Sequence, residues 1–155
     1  MTAPTPITVR RLGADACARD LERLLEMCAE HAAYERSSFR ESGQIDRWRR
    51  HLGSGRLRIF FADIGGDVVG FAAVALEYST WDADEYLHLD CLFLRAGARG
   101  RGAGTRLLDA VTAHARDAGR REIQWQTPPW NEKAVDFYTG RGATGRPKLR
   151  FFLTP

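Results

Sequence analysis

Hydrophobic and polar positions follow two different periods along this chain, and the changes of period predict a succession of strands and helices. Short runs rich in apolar, β-branched and aromatic residues predict strands at residues 7–11, 57–64, 68–78, 86–94, 122–127 and 149–153. Apolar residues at helical spacing predict helices at residues 15–33, 102–118 and 131–139, and part of the polar stretch 34–55 as one more. This order predicts a single α/β domain over residues 1–155, with a mixed central sheet of about six or seven strands flanked by helices.

Residues with special backbone preferences mark the predicted boundaries. Asp15 is placed to cap the first helix, and Gly119 to end the helix at residues 102–118. The sequence Gly65-Gly66-Asp67 predicts a hairpin turn between two strands. Gly70 lies inside an apolar strand, where glycine indicates a bulge or the close approach of another backbone.

Composition narrows the class of protein. The chain has 155 residues, the size of one ordinary domain, and its net charge of +3 is too small to predict nucleic-acid binding. Its three cysteines are far apart and odd in number, which argues against a disulfide framework or a bound metal and favours the reducing cytoplasm. The longest apolar run, residues 68–76, is too short to cross a membrane. Residues 1–6 lack the features of a signal peptide and are predicted to be frayed.

A glycine- and arginine-rich segment, residues 95–106, lies between a predicted strand and a predicted helix. It contains four glycines and four arginines, and no acidic residue occurs between Asp90 and Asp109. Glycine lets backbone N–H groups crowd round a ligand, and the helix that follows adds unpaired N–H donors and the positive end of its dipole. These features predict a diphosphate site. A dinucleotide fingerprint would need a third glycine, and an ATP-binding P-loop would need a lysine, so both ligands are disfavoured.

A second segment, residues 130–143, carries a patterned helix. Asn131 and Tyr138 are seven residues apart, about two helical turns, so they share one face with Ala134 between them. The small Ala134 leaves a groove in which a thin ligand arm can lie, and Val135 is predicted to pack inward. Asn131 also suits the N-cap of this helix, which is the purely structural alternative.

The two segments together resemble the GNAT superfamily of N-acetyltransferases. Residues 99–104 match that family's Arg/Gln-x-x-Gly-x-Gly/Ala loop, and residues 131–138 match its Asn-x-x-Ala-x-x-Phe-Tyr helix. The resemblance implies a sheet that is splayed at the cofactor site, and acetyl-CoA as co-substrate. It implies cofactor contacts at Leu92, Phe93, Leu94, Arg99, Gly100, Arg101, Gly102, Ala103, Gly104, Thr105, Asn131, Ala134 and Tyr138.

The resemblance also implies catalytic roles. Tyr138 takes the place of the family's tyrosine acid, which protonates the leaving thiolate. Asp90 and His88 are both candidates for the base that accepts the proton of the amine, and in a regular strand they share a face. Cys91 is a conceivable covalent carrier, but a cysteine among apolar neighbours is usually part of a core.

The stretch of residues 77–90 is acidic and lacks lysine and arginine, which indicates an acceptor of positive charge. Clustered carboxylates attract a cationic amine, although a solvated acidic loop is the alternative. The layout resembles spermidine/spermine N-acetyltransferases, except that Cys91 replaces the second residue of their acidic pair. The expected acceptor is a small-molecule amine such as a polyamine, an aminoglycoside or an amino-acid-like compound. The residues expected to bind it are Tyr34, Glu35, Glu77, Trp81 and Asp90.

Three alternative functions, and the formation of a homodimer, remain open from the sequence. The chain can act on protein lysines or N-termini, can bind CoA without catalysis, or can use its arginine-rich loop on nucleic acid. An open peptide groove would mark the first alternative, and a strong salt dependence of RNA or DNA binding the last. The apolar residues Phe151, Phe152 and Leu153 are compatible with a homodimer.

Overall fold

The computed structural model describes residues 5–155, so the first four residues of the predicted frayed start lie outside the described part of the chain. Two compact units are distinguished, one ending at Trp125 and the other comprising Gln126–Pro155. The first unit contains the elements β1 (Ile7–Leu12), α1 (Ala18–Tyr34), α2 (Gln44–Ser54), β2 (Leu57–Ile64), β3 (Asp67–Ser79), β4 (Asp84–Leu94), α3 (Ala103–Asp117) and β5 (Ile123–Gln124). The second unit contains the helix α4 (Glu132–Gly140).

The described residues form one five-stranded sheet in the order β1-β2-β3-β4-β5. The first four strands are antiparallel neighbours, and β5 runs parallel to β4 after the α3 crossover. The mixed α/β sheet is therefore confirmed, but the predicted six or seven strands are five. The predicted strand at 122–127 shrinks to two paired residues, and residues 149–153 belong to no strand in the described chain. Apolar composition favours a strand, but only backbone pairing makes one.

Two apolar layers cover the sheet. One face packs against α1 and α2 in a cluster that includes Leu21, Leu24, Phe61, Phe71 and Phe93. The predicted inward face of α3 is also buried, at Leu107, Leu108, Val111 and Ala115. Phe93 of β4 therefore packs in the same cluster as α1, and these elements carry the candidate site together with α3.

The predicted helix ends are partly right. Gly119 has φ +69° and follows Ala118, the C-cap of α3. Arg120 N–H donates to the Ala115 carbonyl at 2.8 Å, as in a glycine-terminated helix. Asp15 does not cap α1, because the helix begins later and its N-cap is Cys17, which makes no side-chain capping bond. The Gly65-Gly66 turn is confirmed, with positive φ at both residues, as a tight two-residue hairpin requires.

Gly70 meets both expectations for a glycine inside a strand. The β2–β3 register shifts beside it, since Ala62 pairs with Gly70 while Asp63 pairs with Val68. A Cβ built at Gly70 would lie 2.4 Å from the Phe93 carbonyl oxygen, far inside normal contact. The missing side chain thus lets β3 approach the end of β4, where the glycine-rich loop begins.

Arg10 on the edge strand β1 joins three elements of the fold, β1, α1 and β2. Its guanidinium donates to both carboxylate oxygens of Asp20 on α1, at 2.9 and 2.8 Å. It lies 3.4 Å from the buried Asp63 Oδ2 on β2 and 5.1 Å from the centre of the Phe61 ring. The Arg10 guanidinium holds the pKa of Asp20 below its ordinary value. This pair ties the edge strand β1 to the first helix.

Candidate active site

A β-bulge at Asp90 is the central irregularity of β4. Leu89 pairs with Val74 and Cys91 with the adjacent Ala73, so Asp90 is an extra residue without a partner in β3. The expectation that His88 and Asp90 share a face in a regular strand therefore needs correction. The pairing of β4 with β3 places His88 and Cys91 on the sheet face that α1 covers. Asp90 lies between them at the bulge.

The bulge nevertheless keeps the two predicted proton acceptors close together. His88 Nε2 lies 3.8 Å from Asp90 Oδ1, with side-chain exposures of 19% and 61%. The carboxylate is thus open to solvent on one side and backed by an imidazole on the other. An exposed carboxylate next to a histidine can accept a proton or hold a cationic group.

The thiols beside Asp90 are poorly suited to covalent catalysis. Burial raises the pKa of Cys91 well above its ordinary value, and the nearby Asp90 carboxylate raises it further. Burial likewise raises the pKa of Cys28 to about 12, again with a contribution from Asp90. Because the thiolate is the nucleophile, both cysteines act as apolar core residues, as expected for Cys91.

Beyond the bulge, β4 loses its neighbour on one side. The β4–β5 ladder contains only Leu87 paired with Ile123 and His88 paired with Gln124. The predicted cofactor residues Leu92 and Leu94 are half-buried, whereas the Phe93 side chain lies in the core. Only the backbone of Phe93 is therefore available to a ligand.

The glycine-rich loop turns from β4 into α3 by two left-handed residues. Gly100 has φ +72° and Gly102 has φ +91°, a region that other residues adopt only with strain. Gly102 is the N-cap of α3, where it provides no side chain to satisfy the first amides of the helix. No atom of the described residues lies within 4 Å of a Cβ built at Gly100, so the space beside the loop is open to them.

The remaining loop residues divide by exposure. Arg101 is exposed, Thr105 is half-buried, and Ala103 and Gly104 are buried, so the last two offer only backbone amides. The first turn of α3 contains no acidic residue. This arrangement fits an anionic ligand that is recognised by amides and a helix dipole.

Arg99 is exposed, but its side chain is bonded to other residues of the protein. Its Nε donates to the Leu94 carbonyl at 2.9 Å, and its guanidinium lies 4.4 Å from the centre of the Tyr34 ring. Arg95 makes a similar tie, donating to Glu30 at 2.8 Å. Both arginines therefore fasten the beginning of the loop to α1, a network that the sequence analysis did not anticipate.

Tyr34 and Glu35 lie where α1 ends. Tyr34 is the last residue of the helix and packs against the core cluster, and Glu35 is the C-cap. His31 Nε2 lies 3.2 Å from Glu35 Oε1. His31 was not among the predicted site residues, although its spacing of four residues from Glu35 on a helix indicates that the two side chains can meet.

The acidic stretch does not converge on one point. Glu77 and Tyr86 face each other across the β3–β4 hairpin, and the tyrosine hydroxyl donates to Glu77 Oε2 at 2.6 Å, which raises the pKa of Tyr86 to about 12. Trp81 lies in the hairpin turn with 96% of its surface exposed. Asp84 begins β4, six residues before Asp90 and about 20 Å from it at the usual strand rise.

In the second unit, α4 has the predicted cap. The Asn131 side chain accepts from Ala134 N–H at 3.4 Å, and Asn131 is buried. Ala134 and Tyr138 are half-buried, and the Tyr138 ring packs edge-on to Phe137 at 5.3 Å. Val135 is 41% exposed, so the expectation that it packs inward is wrong. The capping role of Asn131 is confirmed, and the acid role of Tyr138 stays a prediction.

Within residues 5–155, no group of three or more His, Cys, Asp or Glu side chains is arranged to hold a metal ion. Across the same part of the chain, no helix is both long enough and apolar enough to span a membrane.

The sequence of this chain is similar to those of several known proteins. Residues 19–143 match the acetyltransferase (GNAT) family. A thialysine N-epsilon-acetyltransferase of Caenorhabditis elegans is 28% identical over 76% of this chain and 72% of its own length. An L-ornithine N5-acetyltransferase of Arabidopsis thaliana is 33% identical over 54% of this chain but only 38% of its own length.

Similarity of fold extends further than similarity of sequence. An aminoglycoside N-acetyltransferase solved with CoA superposes with a TM-score of 0.80 at 18% identity, over 99% of this chain and 98% of that protein. At that identity the comparison concerns the fold alone. Because the family match covers most of the chain and includes both motif segments, this protein belongs to the acetyltransferase (GNAT) family and is an acyltransferase.

Proposed function

We propose that this enzyme transfers an acetyl group from acetyl-CoA to the primary amine of a small cationic acceptor that also carries a second basic group. The observation that carries the proposal is the bulge in β4, which exposes the Asp90 carboxylate beside His88 at the strand's unpaired edge. The thialysine and ornithine specificities of the two relatives are consistent with such an acceptor.

The residues of the loop fit the anionic part of acetyl-CoA. Gly100 and Gly102 have left-handed backbones, Gly102 leaves the first amides of α3 uncapped by a side chain, and the surroundings of Gly100 are open. Acetyl-CoA supplies the activated acetyl group, and the amides of residues 100–105 would hold its diphosphate. Arg101 is exposed and adds a positive charge at this site.

The chemistry of the acceptor requires a proton acceptor and a proton donor. An amine attacks only when it is neutral, so Asp90, backed by His88, is the proposed base that removes its proton. Tyr138 is the proposed acid for the departing sulfur, since a phenol can give up its proton and recover it from solvent. The backbone of β4 at residues 92–94 is the proposed source of N–H donors to the acetyl oxygen.

The carboxylates near the bulge support a cationic acceptor. Asp90 accepts a hydrogen bond from Cys91 Sγ at 3.6 Å. Glu35 lies 3.2 Å from His31, whose ring stacks on Phe93 two residues after Cys91 in β4. Carboxylates placed near the end of β4 attract a positively charged ammonium group. A diamine or a basic amino acid has the required second charge, whereas a simple monoamine lacks it.

Two substitutions test this assignment. Asp90→Asn should lower kcat/KM for a diamine by about 10²-fold or more, because a positioned base contributes 10²–10⁴-fold. Tyr138→Phe should lower kcat by a similar factor while the Kd for acetyl-CoA stays nearly unchanged. Release of CoA thiol measures turnover, and calorimetric titration measures binding.

Asp46→Asn serves as the control for lost charge, because Asp46 lies on α2 with 84% of its side chain exposed. Full activity of Asp90→Asn and Tyr138→Phe would remove both residues from the mechanism. Acetylation of lysine peptides in preference to all diamines would replace the small acceptor by a protein substrate.

We also propose that the enzyme forms a homodimer. Leu149, Phe151, Phe152 and Leu153 are 83–91% exposed, an unusual concentration of apolar surface in one short segment. Such surface in a monomer usually marks an interaction site.

A further inference from the structure

His31 is a polar residue in an aromatic environment. Its ring stacks on Phe93 with a centroid separation of 5.3 Å and meets Phe71 edge-on at 6.4 Å. Its side chain is 16% exposed. A polar ring that is largely removed from water needs hydrogen-bond partners to offset its lost hydration, and Glu35 is the partner of Nε2. Because a carboxylate only accepts, Nε2–H must be the donor.

Glu35 occupies a costly position. It is the C-cap of α1, where the helix dipole places partial negative charge and disfavours a carboxylate. The next residue, Arg36, has φ +58°, in the left-handed region where glycine is usual at helix ends. The bonds from Ser37 N–H to Ala32 carbonyl and from Arg36 N–H to Ala33 carbonyl, at 2.8 and 3.1 Å, enforce this turn. This turn ends the helix and fixes the backbone position of Glu35.

The end of α1 is also fastened to the part of β4 that carries the candidate site. His31 contacts Phe93, and Arg99 links the Tyr34 ring to the Leu94 carbonyl. Tyr34 and Cys91 pack against the same core cluster, and Cys91 follows Asp90 directly. The Glu35 side chain remains 34% exposed, so it is held in place but still accessible to a ligand.

We infer that His31 is a positioning residue, which holds the Glu35 carboxylate beside β4 to bind the second, non-reacting ammonium group of the acceptor. This inference rests on the proposed function, because it requires a dicationic acceptor. Stacking on Phe93 fixes the His31 ring, and the hydrogen bond from this ring fixes the Glu35 carboxylate. The carboxylate in turn favours acceptors that carry a second positive charge. His31 therefore acts through Glu35 and takes no part in proton transfer at the acetyl group.

Two substitutions separate the donor from the ring. His31→Phe keeps an aromatic ring against Phe93 and removes the N–H donor. His31→Gln places an amide N–H near the position of Nε2 and removes the ring. Steady-state kinetics with a diamine and a monoamine of equal length, together with the Tm of each variant, make the comparison.

His31→Phe should raise the KM for the diamine by about 5- to 20-fold, as expected for loss of a charge-assisted hydrogen bond, and leave kcat and the monoamine KM within about twofold. His31→Gln should keep the diamine KM within about threefold of wild type. An unchanged diamine KM in His31→Phe, or an equal rise in both variants, would overturn the inference.

A double-mutant cycle tests whether His31 acts through Glu35. Glu35→Gln alone should raise the diamine KM, and adding His31→Phe should raise it no further. An additional rise of the same size as in the single variant would show that His31 acts independently, against the inference. A wild-type enzyme that acetylates no diamine at all would instead refute the proposed function, which keeps the two failures distinct.

Discussion

At the scale of single residues, the partners of each charged group decide what it can do. Glu77 is bonded to Tyr86, Glu85 to Arg120 and Arg99 to the Leu94 carbonyl, so these groups are partly committed to the protein. Asp90 stays largely exposed at the bulge. The sequence identified all four charges but contained no information about which were already paired, because the pairing depends on strand register and helix docking.

The Arg10–Asp20 pair gives a prediction for the residue scale. Asp20→Asn should lower the free energy of unfolding at pH 7 by about 1–3 kcal/mol, because Arg10 loses a buried charged partner. The folded-state pKa of Asp20 lies below its ordinary value, so its stabilisation is present above that ordinary value and is lost as pH falls through the folded pKa.

Urea unfolding of the two proteins between pH 7 and pH 3 provides the measurement. The wild type should lose more stability than Asp20→Asn as the pH falls, so the two curves should converge in acid. Parallel curves at all pH values would mean that the pair contributes no pH-dependent stability.

At the scale of elements, long periodic segments were predictable and short or irregular ones were not. The four strands β1–β4 and the helices α1 and α3 follow apolar patterns that survive without tertiary context, and α4 was predictable from its motif residues. The two-residue β5 does not, because its extent depends on where β4 stops being available. The bulge left a trace in the consecutive apolar residues Cys91 and Leu92, which break the alternation, but only the register with Ala73 and Val74 identified it.

Gly70 gives a prediction at this scale. Gly70→Ala places a methyl group 2.4 Å from the Phe93 carbonyl oxygen, which is backbone and cannot rotate away. We expect a loss of about 1–3 kcal/mol in the free energy of unfolding, the usual cost of overpacking. Thermal unfolding followed by circular dichroism is the measurement. Gly53→Ala on α2, where nothing lies within 4 Å of the new Cβ, is the control and should not be destabilised.

Gly102 gives a second prediction. Gly102→Val forces a β-branched residue towards φ +91° and displaces the amides at the beginning of α3. Affinity for acetyl-CoA should fall at least about tenfold, or ~1.4 kcal/mol. Gly97→Ala is the matched control, because it lies in the same loop with open space around it and should bind normally. Calorimetric titration of both variants decides the matter, and tight binding by Gly102→Val would refute the loop assignment.

At the scale of the whole molecule, the net charge of +3 conceals an uneven distribution. Residues 77–90 carry five acidic groups and no lysine or arginine, whereas no acidic residue follows Asp136 and the last fifteen residues include Arg141, Arg146, Lys148 and Arg150. The apolar side chains of residues 149–153 are interleaved with the last of these charges and are exposed. Sequence patterning predicted a strand there, but a strand needs a neighbour, and a single copy of the described chain gives it none.

The proposed homodimer makes this segment testable. Light scattering after size exclusion should give twice the mass of one chain, and the double variant Phe152→Asp, Leu153→Asp should shift the protein to the monomer by removing apolar contact area. Thr154→Asp adds a similar charge next to the same segment without removing an apolar side chain and should remain dimeric. A wild-type monomer at all concentrations would exclude the dimer.

The short β4–β5 ladder has a consequence for how the protein responds to its ligands. With only Leu87 and His88 paired to β5, the amides of β4 that point towards this edge beyond the bulge lack strand partners and should exchange rapidly with deuterium. A ligand that binds these amides replaces the missing strand, so protection should appear there first and the melting temperature should rise with ligand concentration. The reaction would then take place at the part of β4 whose backbone amides have no neighbouring strand until the ligand binds.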